Sequence, residues 1–144
     1  MTNYSSHGVL SPCFEEAALF LEALAGKDAP CTFQTFDDVE VWDEAKQKTV
    51  KRADKSLLSI KQGTFDQHKN ALAAINKRGG GIFVTINETD LKGRSLANML
   101  KVRALFVDLD GSPLQPILDL PEDLQPHIII ESSPNRWHAY WLVN

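Results

Sequence analysis

Apolar positions along the chain follow two periods, close to 3.6 residues in some stretches and 2 in others, and the switches mark its elements. Phe14, Ala17, Ala18, Leu21 and Leu24 recur at helical spacing and Gly26 ends the run, which predicts a first helix. Ser11 suits its N-cap, Pro12 its first turn, and Glu15 with Glu16 its dipole. After Pro30, Thr32-Phe33-Gln34-Thr35-Phe36 alternates as a strand does and ends at Asp37-Asp38. Val39 to Lys48 reads as a second short strand and a turn, and Leu57-Leu58-Ser59-Ile60 as an extended run closed by Gly63. Thr64 then caps a helix to about Lys77, with Phe65, His68, Leu72 and Ile75 near one face. Gly79-Gly80-Gly81 breaks it, and the β-branched run Ile82 to Ile86 predicts a strand. No Gly-Lys-Ser/Thr follows those glycines, so they read as a connection rather than a phosphate cradle. Asn87 to Arg94 reads as a polar loop, Ser95 to Leu100 as about two turns of helix, and Pro113 to Leu118 as another short helix. Further strands are expected up to Asp108, from His127 to Glu131 and from Trp137 to Val143, with Ser132-Ser133-Pro134-Asn135 as a turn. Residues 1–12 read as a flexible arm and 13–144 as one domain, α/β or α+β in class.

The chemistry gathers where the apolar run Ala104-Leu105-Phe106-Val107 ends in Asp108-Leu109-Asp110-Gly111. Side chains alternate faces along a strand, so the two carboxylates point the same way, ~6.5–7 Å apart at their Cα atoms. Adjacent anions repel unless a cation lies between them, and Mg²⁺ or Mn²⁺ prefers such hard oxygen ligands. A strand merely closing into a glycine turn would use the same residues, so the weight falls on the neighbours. In the last strand His138, Tyr140 and Leu142 share one face, and Trp137, Ala139, Trp141 and Val143 the other, the tryptophans packing on helices. A histidine beside Arg136, after a turn carrying Ser132, Ser133 and Asn135, makes a phosphate-site candidate.

Composition narrows the setting. The chain is 43% hydrophobic and 24% charged, ordinary for a globular domain, and its net charge of −4 argues against a surface coated for duplex binding. Local basic clusters remain. Lys46, Lys48, Lys51, Arg52 and Lys55 read as a solvated loop, whereas Lys92, Arg94, Lys101 and Arg103 flank the carboxylate strand. Arg94 and Arg103 are therefore expected to add positive potential for a nucleotide or template. Cys13 and Cys31 are too few for a structural zinc site. No apolar run approaches a membrane span, and a cytoplasmic protein with no membrane contact is expected.

The stretch Asn76-Lys77-Arg78-Gly79-Gly80-Gly81-Ile82-Phe83-Val84-Thr85-Ile86-Asn87-Glu88-Thr89-Asp90, then Gly93-Arg94 and Val102 to Gly111, resembles the RepB-like primases of plasmids and phages. These belong to the archaeo-eukaryotic primase superfamily. Glu131-Ser132-Ser133-Pro134-Asn135-Arg136-Trp137-His138-Ala139-Tyr140-Trp141 resembles their second motif, a serine-containing turn leading to a histidine. The resemblance covers Asn76 to Trp141 and is weaker over Phe14 to Asp38. It implies an α+β fold, an N-terminal α/β unit joined to an RRM-like catalytic sheet. It implies template-directed synthesis of short primers from nucleoside triphosphates on single-stranded DNA, during plasmid or phage DNA replication and beside a replicative helicase domain or protein. It assigns Mg²⁺ or Mn²⁺ to Asp108 and Asp110, and the phosphates of the incoming nucleotide to His138. One ion acidifies the attacking 3′-hydroxyl, another steadies the leaving pyrophosphate, and a cationic wall neutralises the triphosphate. Ser132, Ser133, Arg136, Arg103 and Arg94 complete the expected nucleotide-binding set.

The match has two departures. A small residue is usual two before the histidine, where this chain has Arg136. The family's third motif, a downstream aspartate, has no counterpart before Asn144, so the domain is expected to be incomplete at its C-terminus and weak or inactive alone. Two other readings compete. Phe106-Val107-Asp108-Leu109-Asp110-Gly111 also matches the nucleophile motif of haloacid dehalogenase-like phosphatases, with Asp108 as nucleophile and Asp110 as general acid. Too little chain follows Asp110 for that family's downstream residues. The third reading is a non-catalytic nucleotide- or DNA-binding module of a replication protein.

Overall fold

The computed structural model describes residues 12–143, and the chain is α+β. The expected arm, apart from Pro12, and the expected Ser11 cap lie outside the described residues. In order come α1 (Phe14–Ala25), β1 (Cys31–Asp37), β2 (Glu40–Asp43), β3 (Lys48–Lys51), β4 (Ser59–Gly63), α2 (Phe65–Lys77) and β5 (Gly80–Val84). Then follow β6 (Glu88–Thr89), β7 (Met99–Lys101), β8 (Ala104–Asp108), α3 (Gln115–Leu118), β9 (Ile128–Ser133) and β10 (Arg136–Leu142). Single 3₁₀ turns stand at Lys55–Leu57, Leu96–Asn98 and Glu122–Leu124.

Two three-stranded antiparallel sheets carry the structure, ordered β4-β1-β5 and β8-β10-β9, with β2-β3 and β6-β7 as separate hairpins. Helix α1 serves both sheets, because residues three apart share one helix face. Leu21 joins Cys31, Phe33 and Leu72 under the first sheet, while Leu24 joins Ala104 and Tyr140 under the second. Phe20 packs against both clusters. Each fully buried Leu or Phe contributes about 1.5–3 kcal/mol by leaving water.

Helix α2 forms where its sequence dictates. Thr64 accepts from the Gln67 N–H, and the Gln67 side chain accepts from the Thr64 N–H, a reciprocal cap on two orphan donors. The buried polar groups of β1 are satisfied as well. Thr35 donates to the Leu57 carbonyl at 2.6 Å, Gln34 to the Ser59 carbonyl at 3.1 Å, and Thr32 pairs with Thr89 at 2.8 Å. The Thr32–Thr89 bond fastens the β6-β7 hairpin across the first sheet.

Two expectations need correction here. Ser95 to Leu100 holds no two-turn helix: a single 3₁₀ turn gives way to β7, whose Lys101 and Met99 pair with Glu88 and Thr89. The Asn98 side chain closes that turn by accepting from Ser95 and donating to Asp90. The basic segment from Lys46 to Lys55 is solvated as expected but not all loop, since Lys48–Lys51 forms β3 and pairs with β2. Arg52 forks onto Asp37 at 2.7 and 3.1 Å and reaches the Arg78 carbonyl at the end of α2. That side chain clamps the end of β1 to the end of α2.

Candidate functional site

Strand β8 lies antiparallel to β10 in a register that sets Asp108 opposite His138, Phe106 opposite Tyr140 and Ala104 opposite Leu142. Directly opposed residues share a face, so Asp108 and His138 project together from the sheet's end. The His138 Nε2 stands 3.6 Å from Asp108 Oδ1, within ion-pair reach but too long for a hydrogen bond. His138 Nδ1 lies 3.0 Å from the Tyr140 hydroxyl. Burial, helped by the Asp108 charge, pushes the Tyr140 phenol up to about 12, so it keeps its proton at neutral pH. In the tautomer where Nδ1 accepts from that hydroxyl, the ring carries its proton on Nε2, on the side of Asp108.

Asp110 arrives by a different route from the one alternation implies. Strand β8 stops at Asp108, and Leu109 to Ser112 forms a tight turn whose central pair, Asp110 and Gly111, is left-handed at φ 40° and 88°. Asp and Gly tolerate that conformation best. The Ser112 N–H closes the turn on the Leu109 carbonyl at 2.7 Å, and Asp108 Oδ1 accepts the Asp110 N–H at 2.9 Å. The Leu109 N–H donates to the Trp137 carbonyl, pinning the turn to β10. Asp110 then ion-pairs with Arg136.

Arg136 enters from the facing turn. Pro134 and Asn135 form a two-residue connection with Asn135 at φ 60°, and Glu131 Oε1 accepts the Asn135 N–H at 2.8 Å. Strand β9 runs through Ser132 and Ser133, so both lie in the strand rather than in the expected four-residue turn. Ser133 faces Arg136 in the register, and the Ser132 hydroxyl donates to the Arg136 carbonyl at 3.3 Å. The pairing register with β9 shifts between Arg136 and Trp137, so Arg136 stands opposite Ser133 while Trp137 stands opposite Glu131.

The result is a cluster open to solvent: Asp108 is 55% exposed, Asp110 77% and Arg136 56%. Two carboxylates, one arginine and one histidine meet at the joined ends of β8, β9 and β10. Oδ2 of Asp108 and Oδ2 of Asp110 take no hydrogen bond from the described residues. Among the described residues no group of three or more His, Cys, Asp or Glu is arranged to hold a metal. The donor set of two exposed carboxylates nevertheless suits Mg²⁺ or Mn²⁺, which binds through one or two carboxylates and completes its shell with water and phosphate oxygens.

Two expected members lie elsewhere. Arg103 precedes β8 at the end opposite to Asp108, five positions and ~17 Å away along an extended chain. Its backbone bonds to Asn87 and Val143, and its side chain lines a cavity of about 620 Å³ between the end of α1, the β6-β7 hairpin and Leu142. Closeness in sequence to the carboxylate strand misled, because the strand's own length separates its ends. Arg94 sits over the Phe36 ring at 5.8 Å, against the first sheet. Tyr140 and Phe106 were the residues overlooked, although each stands two positions from a site residue on the same strand face. Trp141 donates from its indole to the Leu124 carbonyl in the last 3₁₀ turn. No helix among the described residues is long and apolar enough to cross a membrane. Compared with protein-family models, with curated proteins and with solved structures, the chain matches none.

Proposed function

We propose that the cluster binds the triphosphate of a nucleotide with a divalent cation, and that the chain is the catalytic portion of a primase of the archaeo-eukaryotic type. The observation that carries this reading is the pairing of the Asp108 strand with the His138 strand, which puts two carboxylates and two nitrogen cations or donors at one sheet end. Asp108 and Asp110 would hold Mg²⁺ or Mn²⁺, which when bound neutralises phosphate charge and acidifies an attacking hydroxyl. His138, fixed from behind by Tyr140, donates through Nε2 to a phosphate oxygen. Arg136 supplies a bidentate donor for the same group once it leaves Asp110. The solvent-open setting leaves room for a single-stranded template, with a helicase domain or protein as the wider partner. The α/β unit and RRM-like sheet of that superfamily are supported by the two antiparallel sheets that α1 holds together.

The test is nucleoside triphosphate titration with Mn²⁺ for the native chain, Asp108→Ala and His138→Ala, beside primer synthesis on single-stranded DNA. Weak Mn²⁺-dependent binding is expected in the native chain, lost in Asp108→Ala and reduced in His138→Ala. Equal affinity in all three proteins overturns the site. Any primer synthesis is expected to fall in Asp108→Ala, since small misplacements at such centres cost ~10²-fold in rate. Phosphate release from an aryl phosphate would favour the phosphatase alternative. Binding without synthesis even in longer chains would favour the non-catalytic module.

A further inference from the structure

Phe106 is the outlier on the face that carries the cluster. Strand alternation puts it on the same side as Asp108, and the register sets it opposite the buried Tyr140. Its ring stacks on Tyr140 at 5.7 Å between centroids and 28° between planes, yet Phe106 remains 52% exposed. Tyr140 itself is only 3% exposed and is held by the Phe20 ring at 5.3 Å and by His138 Nδ1. One flank of Phe106 is therefore supported by a fixed aromatic, while much of the ring remains open to solvent. Leu105 and Val107 are also exposed, but alternation turns them to the opposite face, away from the carboxylates. Among the described residues of β8, Phe106 is thus the exposed apolar group on the phosphate side.

We infer that Phe106 is the stacking platform for the base of the bound nucleotide, an inference that rests on the nucleotide reading given above. The spacing agrees. Same-face neighbours on a strand lie ~6.5–7 Å apart, so phosphates at the Asp108 end leave the sugar to bridge back and the base to lie over the ring. Charge sorts the two ends: Arg136 and His138 face the anionic phosphates, and the apolar ring faces the base. Every base has a π-face, so the platform accepts all four and leaves their choice to a template.

The experiment compares nucleoside triphosphates with inorganic tripolyphosphate, each titrated with Mn²⁺ against the native chain, Phe106→Leu and Phe106→Trp, with circular dichroism to check folding. Loss of stacking is worth roughly 5- to 150-fold in affinity. Phe106→Leu is expected to lose that factor for purine and pyrimidine nucleotides alike while binding tripolyphosphate as before. Phe106→Trp is expected to restore nucleotide affinity, with its added indole emission quenched by nucleotide and not by tripolyphosphate. If Phe106→Leu does not fold, the tryptophan arm decides, and unquenched emission overturns the platform. Asp108-dependent nucleotide binding that is equal in native and Phe106→Leu chains overturns the platform alone. Nucleotide binding that ignores Asp108→Ala overturns the nucleotide reading, and the platform with it.

Discussion

Arg136 carries one positive charge for which two partners compete. Its ion pair with Asp110 is exposed on both sides, so the pair contributes only about 0–1 kcal/mol and opens cheaply. On the proposed reading, a divalent ion held by Asp108 and Asp110 would replace Arg136 as their counter-charge and leave its guanidinium available to the triphosphate. Replacing Arg136 by Gln should separate these roles in opposite directions. Without nucleotide, Mn²⁺ is expected to bind up to ~5-fold more tightly, because the competing charge has gone. Nucleoside triphosphate should bind ~10-fold or more weakly, since a charge-assisted bond to phosphate is worth about 1.5–3 kcal/mol. Paramagnetic resonance of free Mn²⁺ measures the first effect and nucleotide titration the second. No change in either would leave Arg136 as a turn-stabilising ion pair with no part in binding.

Element ends, more than element interiors, decide what stands at the cluster and how firmly. The clearest case outside it is Asp37 at the end of β1, which accepts from Arg52 and from the backbone N–H groups of Val39 and Asp54. Chiefly through the Arg52 hydrogen bond, its carboxyl is held down at about 2. A carboxylate whose folded value lies below its unfolded value adds stability above the unfolded value, near 4, and loses it as pH falls toward 2. Asp37→Asn should therefore melt at a lower temperature than the native chain at pH 7, with the gap closing between about pH 4 and pH 2. Thermal melts across that range check it, and a gap independent of pH would assign the loss to packing instead of charge. The same ends explain what was legible in the sequence. Helix α2 was, because Thr64, the apolar spacing and Gly79 all speak locally. Strands β1, β8 and β10 were too, through alternation and apolar runs, and with them the meeting of Asp108 and His138. Ser95 to Leu100 was not, because β6 supplies the bonds that make Met99 to Lys101 a strand, and no local pattern reports a partner ten residues back. Nor was Arg52, whose partner Asp37 lies on another strand, or the distance of Arg103 from the carboxylates, which needs the direction of β8.

At the scale of the whole molecule, α1 packs against the cores of both small sheets. Three antiparallel strands with one covered face are barely stable alone, and each sheet here finds its cover partly on the same helix. Leu21 faces the first cluster, Leu24 the second, and Phe20 touches both. The second sheet also carries Asp108, His138 and Tyr140, so its integrity sets that of the candidate site. Truncating Leu24 to Ala removes contacts only from the second cluster in the static structure, at a cost of about 2–5 kcal/mol for a buried leucine. If the sheets unfolded as independent units, amides of β8 and β10 would exchange faster while those of β1 and β5 kept their protection. With α1 shared, loosening its grip on one side frees it on the other. Leu24→Ala is therefore expected to speed exchange in both sheets by similar factors and to keep a single thermal transition at lower temperature. Amide hydrogen exchange resolved by strand measures this. Protection lost in β8 and β10 alone would show that the helix does not couple the sheets, and that the site can open without the first sheet following.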